Sequence, residues 1–173
     1  MEIIRILELL SYTLPAIITG AVAYHFFKMH TQNEERRRRH SIKKEAKKNA
    51  LPMRLQAYER MVLYLERINP SQLLIRIKPL SDDKNRYENL VIAQIEQEFE
   101  HNLTQQIYIS DECWNIILTA KNATIQMIRK TNMSERVNTA DKLREVILSD
   151  LMESQSPSNV ALAYIKNEVG QLW

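Results

Sequence analysis

The hydrophobic and polar positions of this chain divide it into three stretches. Residues Leu9 to Phe27 contain no Asp, Glu, Lys or Arg. A helix of this length spans about 30 Å, the thickness of the hydrocarbon core of a bilayer. The pattern therefore predicts a transmembrane anchor within residues 1–27, a basic juxtamembrane stalk at 28–49 and a helical domain at 50–173.

The charges on either side of the apolar stretch predict its orientation. The side chains before it sum to −1, whereas residues 28–49 hold nine basic and three acidic residues. Because positive residues beside a spanning helix stay in the cytoplasm, we expect a signal-anchor in the inner membrane with its N-terminus outside and residues 50–173 in the cytoplasm. A cleaved signal peptide is the alternative, since Ala21-Val22-Ala23 is similar to a cleavage site, but its positive charge would precede the apolar stretch.

The basic residues of the stalk are candidate contacts for anionic lipid headgroups. Near a membrane surface each such residue contributes about 1 kcal/mol. They are Lys28, Arg36, Arg37, Arg38, Arg39, Lys43, Lys44, Lys47 and Lys48. Nucleic acid is a second anionic partner for this segment, but no aromatic residue interleaves Arg36–Arg39 for base stacking. The domain at 50–173 sums to −2, so the sequence pI of about 9.0 reflects the stalk.

Glycine usage and apolar spacing predict an all-α fold, with a bundle of about five helices after the anchor and stalk. The chain has two glycines, too few for the hairpin turns of a β-rich fold. Pro52 suits the first turn of a helix that ends at Asn69-Pro70. Residues 70–80, which lie between prolines, read as a packed connector with a short helical turn.

Four later helices follow from their capping residues. Ser81-Asp82-Asp83 caps a helix that extends to about Gln106, and Ser110 caps the next after an extended link at 107–109. Ser134-Glu135 begins another helix, and Ser156-Pro157 begins the last. The first of these helices has an apolar stripe at strict i+4 spacing, formed by Tyr87, Val91, Ile95, Phe99 and Leu103.

A polar cluster at the end of that helix is the most unusual local sequence. Its members are Glu100, His101, Asn102, Gln105, Gln106 and Tyr108. Amide-rich helix ends commonly form capping or inter-helix hydrogen-bond networks, and we favour this structural role. The alternative is a pocket for a small molecule or peptide, which would make the domain a ligand-binding protein or a small enzyme.

No catalytic set, metal site or cofactor motif emerges from the remaining residues. Glu98 and His101 form half of a di-iron carboxylate pair, but the other histidines lie in or near the anchor and stalk. The single Cys113 has no histidine placed by sequence to act as its base, so a buried structural cysteine is the favoured interpretation. We therefore expect a chain that is not an enzyme and carries no cofactor.

Several segments are similar to an uncharacterised family of small single-pass membrane-anchored helical proteins of the Bacteroidota. The resemblance rests on Leu55–Arg60, Leu65–Ile68, Glu100–Ser110, Trp114 and Ala163–Val169. It implies an anchored helical architecture and no defined activity. We expect a membrane-tethered interaction or scaffold domain with an unidentified protein partner, and the sequence leaves homo-oligomer formation open.

Overall fold

The computed structural model describes the backbone of residues 2–172, and the side chains outside its description are those of residues 1, 2, 4–12, 16, 153 and 173. The chain divides into two compact units, residues 1–50 and 51–173. Across the described backbone the regular elements are all helices and no strand occurs. The all-α prediction is therefore confirmed.

Helix α1 (Glu2–Ile68) contributes residues to both units. It ends before Asn69-Pro70 as predicted. The predicted start of a new helix at Pro52 is wrong, because α1 continues through this residue. An internal proline deprives the carbonyl four residues earlier of its donor. Here that carbonyl belongs to the exposed Lys48, where water can replace the lost hydrogen bond.

The predicted transmembrane anchor, Leu9–Phe27, lies within α1. In the described part of the chain no helix combines the length and the apolar character needed to cross a bilayer. Residues 9–12 and 16 of the predicted anchor are among those whose side chains are outside the description. The described residues therefore do not support the transmembrane prediction.

Two helices follow in the second unit. The predicted connector contains helix α2 (Pro70–Arg76), which is capped where the Asn69 side chain accepts from the N–H of Ser71. Helix α3 (Lys84–Asn102) begins at the predicted cap. The Asp83 carboxylate accepts hydrogen bonds from the backbone N–H groups of Asn85 and Arg86. The predicted stripe is buried at Tyr87, Val91, Ile95 and Phe99.

The end of α3 differs from the prediction. The helix stops at Asn102, and a 3₁₀ helix (Leu103–Ile107) occupies the predicted last turn and the start of the predicted extended link. The Leu103 N–H bonds to the carbonyl of Glu100, three residues back, which tightens the helix. This tightening rotates Leu103 off the buried face, and Leu103 is 43% exposed. The prediction that Leu103 completes the buried stripe is therefore wrong.

Three further helices complete the bundle. Helix α4 (Asp111–Asn132) is capped by Ser110 as predicted, whereas helix α5 (Ala140–Glu153) does not begin at Ser134. Its cap is Thr139, which accepts from the N–H of Lys142. Tertiary contacts decide this, because the Ala140 N–H donates to the carbonyl of Asp82. Helix α6 (Pro157–Gly170) begins at the predicted proline.

The core of the second unit draws on α1 to α6. Burying a large apolar side chain contributes about 1.5–3 kcal/mol, so the buried side chains of this core supply most of the favourable energy of folding. The largest fully buried side chains are Tyr58, Met61, Tyr64, Leu65, Ile68, Leu73, Leu74, Ile95, Ile117, Ile128, Leu143 and Ile147.

Candidate functional site

The predicted polar cluster lies at the end of α3 and along the 3₁₀ helix. Glu100, His101 and Gln106 are exposed, whereas Asn102, Gln105 and Tyr108 are half-buried. The side-chain hydrogen bonds of Asn102 and Gln105 go to groups outside the cluster. Asn102 Nδ2 donates to the carbonyl of Glu98 at 2.8 Å, and Gln105 Nε2 donates to its neighbour Thr104 at 3.3 Å. These are helix-end contacts of the kind that the structural interpretation predicts, and ligand binding here stays a prediction.

A second polar network, which the sequence did not reveal, joins the end of α1 to α6. Tyr58 Oη donates to Glu168 Oε1 at 2.9 Å, and Arg54 Nη2 lies 3.3 Å from the same tyrosine oxygen. Arg54 Nε also donates to the backbone carbonyl of Tyr108 at 3.0 Å. Burial, followed by the bond to Glu168, raises the pKa of Tyr58 to about 12. The tyrosine therefore stays protonated and remains a donor at neutral pH.

Cys113 lies beside this network, in the first turn of α4, and is fully buried. Burial first, and then the neighbouring Glu168 carboxylate, raise the pKa of its thiol to about 12. A nucleophilic cysteine needs a lowered pKa and access to solvent. This residue has neither, so its structural interpretation is supported. Glu168 Oε2 is buried and has no hydrogen-bond partner of standard geometry among the described residues.

An aromatic cluster packs α1, α3 and α4 together. The Phe99 ring lies between those of Tyr64 and Trp114, with centroids 5.8 Å and 5.3 Å away. Lys121 Nζ sits 4.5 Å from the centre of the Phe99 ring and 2.8 Å from Glu96 Oε2. The cation therefore has both a ring face and a carboxylate as partners, a structural arrangement that buries the long lysine stem.

A surface groove of the second unit runs between α4 and α6. Its volume is about 540 Å³, and its walls include Ile116 and Ala120 from α4 and Val160 and Ala161 from α6. None of its described lining residues is charged. The Val160 side chain is 63% exposed. The groove is therefore an apolar surface that remains open to solvent in the isolated chain.

The first unit exposes large apolar side chains and then basic ones. Between residues 14 and 29 the exposed large apolar side chains are Leu14, Ile17, Ile18, Val22, Tyr24, Phe26, Phe27 and Met29. Ile17 and Phe27 reach 69% and 70% exposure. The basic residues of the predicted stalk are all exposed. Arg39 Nη2 is 3.7 Å from Glu35 Oε2, an ion pair within one helical turn.

Within the part of the chain that the structure describes, no three His, Cys, Asp or Glu side chains come together as a metal site would require. The sequence profile of a family of unknown function, DUF7935, matches residues 4–172. The chain belongs to this family. Its match confirms the predicted likeness to an uncharacterised family, whereas the single-pass membrane anchor and the bacterial group stay predictions. Comparison with curated proteins and with solved structures finds no match.

Proposed function

We propose that this chain is a non-enzymatic helical interaction domain tethered to a membrane by the first part of α1. The observation that carries the proposal is the run of exposed apolar side chains between Leu14 and Met29. Apolar surface left in water costs about 25 cal/mol per Å², so a segment of this kind is stabilised when a bilayer or a partner covers it.

The charge that follows this segment supports one orientation. Residues 28–49 carry nine basic and three acidic residues immediately after the apolar run. Such an excess favours the cytoplasmic side, so the second unit would face the cytoplasm and the N-terminus the outside. The inner membrane is then the location that we propose.

The apolar groove between α4 and α6 supports the interaction role. Exposed apolar patches of this kind commonly mark binding surfaces. We therefore expect Val160→Asp to weaken binding of a protein partner at this face. The matched control is Ile75→Asp on α2, because Ile75 is 62% exposed and lies outside the groove.

Cell fractionation of the full chain tests the tether. We expect the chain in the membrane fraction, retained through an alkaline carbonate wash that releases peripheral proteins. The triple variant Ile17→Ser, Ile18→Ser and Val22→Ser should shift to the supernatant. A control with Met152→Ser, which removes an apolar side chain 89% exposed on α5, should stay with the membrane.

Two outcomes would contradict the proposal. Recovery of the wild-type chain in the soluble fraction would refute the tether altogether. Release by carbonate, with binding to membranes before the wash, would replace insertion with peripheral attachment. Protease protection tests the orientation. Digestion of the second unit in intact spheroplasts would place it outside the cytoplasm and contradict the proposed orientation.

A further inference from the structure

The basic residues of the stalk are not equivalent, because their positions on α1 differ. Residues three and four apart share a face of a helix. Arg36, Arg37, His40 and Lys44 therefore fall on one side, where they border a shallow depression together with Ser41. No carboxylate is among the described residues that line it. Arg39, three residues after Arg36, borders a second depression with Arg36 and Glu35, and its guanidinium is paired with Glu35.

Distance along the helix separates these residues further. The run of exposed apolar side chains ends at Met29. At a rise of about 1.5 Å per residue, Arg36 lies about 10 Å beyond this point and Lys47 about 27 Å beyond it. The Debye length at physiological ionic strength is about 8 Å. A surface charge at the end of the apolar run is therefore weakened about threefold at Arg36 and about thirtyfold at Lys47.

We propose that Arg36 and Arg37 form a binding surface for the phosphate of an anionic phospholipid headgroup. This inference rests on the proposed membrane attachment. Guanidinium groups suit the phosphodiester because they present paired N–H donors to two of its oxygens. Among the described residues Glu35 pairs with Arg39, and neither Arg36 nor Arg37 forms an ion pair, so their charge is available. Lys47 and Lys48, although exposed and basic, lie too far from the headgroups to contribute much.

The test uses the full chain in micelles of a neutral detergent, titrated with phosphatidylglycerol or with phosphatidylcholine. Bound lipid is measured by native mass spectrometry. Two double variants remove equal charge, Arg36→Gln with Arg37→Gln, and Lys47→Gln with Lys48→Gln. Glutamine keeps the helix propensity of the residues that it replaces. We expect the wild type to prefer phosphatidylglycerol and the arginine variant to bind it about 30-fold more weakly, since each near charge contributes about 1 kcal/mol.

The lysine variant should stay within about threefold of the wild type, because its charges are screened. Equal weakening by the two variants would overturn the proposal, since binding would then follow net charge alone. So would a wild type that does not prefer phosphatidylglycerol. Tighter binding to duplex DNA than to the lipid would identify the segment as a nucleic-acid surface and overturn it as well.

Cell fractionation keeps the two proposals apart. A wild-type chain that sediments with membranes but ignores phosphatidylglycerol refutes the headgroup surface and leaves the tether standing. A chain recovered in the soluble fraction refutes the tether, whatever its lipid preference in micelles.

Discussion

The hydrogen bond between Tyr58 and Glu168 gives the sharpest prediction about stability. Tyr58→Phe removes one oxygen and keeps the ring, which is only 2% exposed. The lost bond is 2.9 Å long and ends on a carboxylate. The second carboxylate oxygen already lacks a partner of standard geometry among the described residues, so the substitution leaves this group poorly bonded.

Hydrogen bonds to charged groups contribute about 1.5–3 kcal/mol, and we expect Tyr58→Phe to lower the free energy of unfolding by about that amount. For a unit of about this size, the thermal midpoint should fall by roughly 5–12 °C. The wild type and the variant both place an aromatic ring at position 58 in the core of the second unit, so packing should change little.

Tyr64 provides a matched control on the same helix. Its ring is 1% exposed, and its hydroxyl finds no hydrogen-bond partner among the described residues. A buried hydroxyl without a partner is costly, so Tyr64→Phe should leave the midpoint unchanged or raise it. Both variants remove one buried phenolic oxygen from α1, and only the first breaks a bond.

Thermal melts of the full chain in neutral detergent, followed by circular dichroism, compare the two variants with the wild type. A double-mutant cycle with Glu168→Gln then isolates the pairwise energy between Tyr58 and residue 168. Equal destabilisation by Tyr58→Phe and Tyr64→Phe would refute the reasoning. So would a coupling energy near zero in the cycle.

Three more measurements test the structure. Cys113 should resist alkylation near neutral pH until denaturant unfolds the chain, because it is fully buried and its pKa is raised to about 12; rapid labelling of the native chain would show that the site opens. Lys84→Met should lower the free energy of unfolding by about 1–3 kcal/mol, since the Lys84 Nζ donates to the carbonyls of Asn132 and Val137, both at 2.9 Å. The control Lys78→Met, at an exposed site, should leave the thermal midpoint unchanged. The free energy of unfolding should fall as the pH rises from about 10 to 12, because the folded state holds protons that unfolded tyrosines release in that range. A urea midpoint that does not change over this pH range would contradict the raised pKa values of Tyr58, Tyr64 and Tyr87.

Local signals in the sequence predicted much of the helical framework. The i+4 spacing from Tyr87 to Phe99 gave the buried face of α3, because one turn of helix returns a side chain to the same side. Asp83 and Ser110 were predicted as caps and accept backbone N–H bonds, since this chemistry acts over two or three residues.

Features set by distant contacts could not be read in this way. The sequence predicts Ser134 as the start of α5, whereas Thr139 is the cap, and the next residue, Ala140, donates its N–H to the distant carbonyl of Asp82. The network of Tyr58 with Glu168 joins residues 110 positions apart, a separation at which no local periodicity is informative. The groove likewise depends on how α4 packs against α6, which the composition of either helix leaves open.

That long separation also bears on the order in which the chain folds during synthesis. Lys121 and Glu96 are 25 positions apart, so the pair between α3 and α4 can form early, whereas Tyr58 must wait for Glu168 to leave the ribosome. At about 5–20 residues per second, this delay is roughly 5–20 s. Throughout it, Tyr58 and its apolar neighbours on α1 lack the α6 surface, and the nascent chain is most exposed to aggregation and to chaperones.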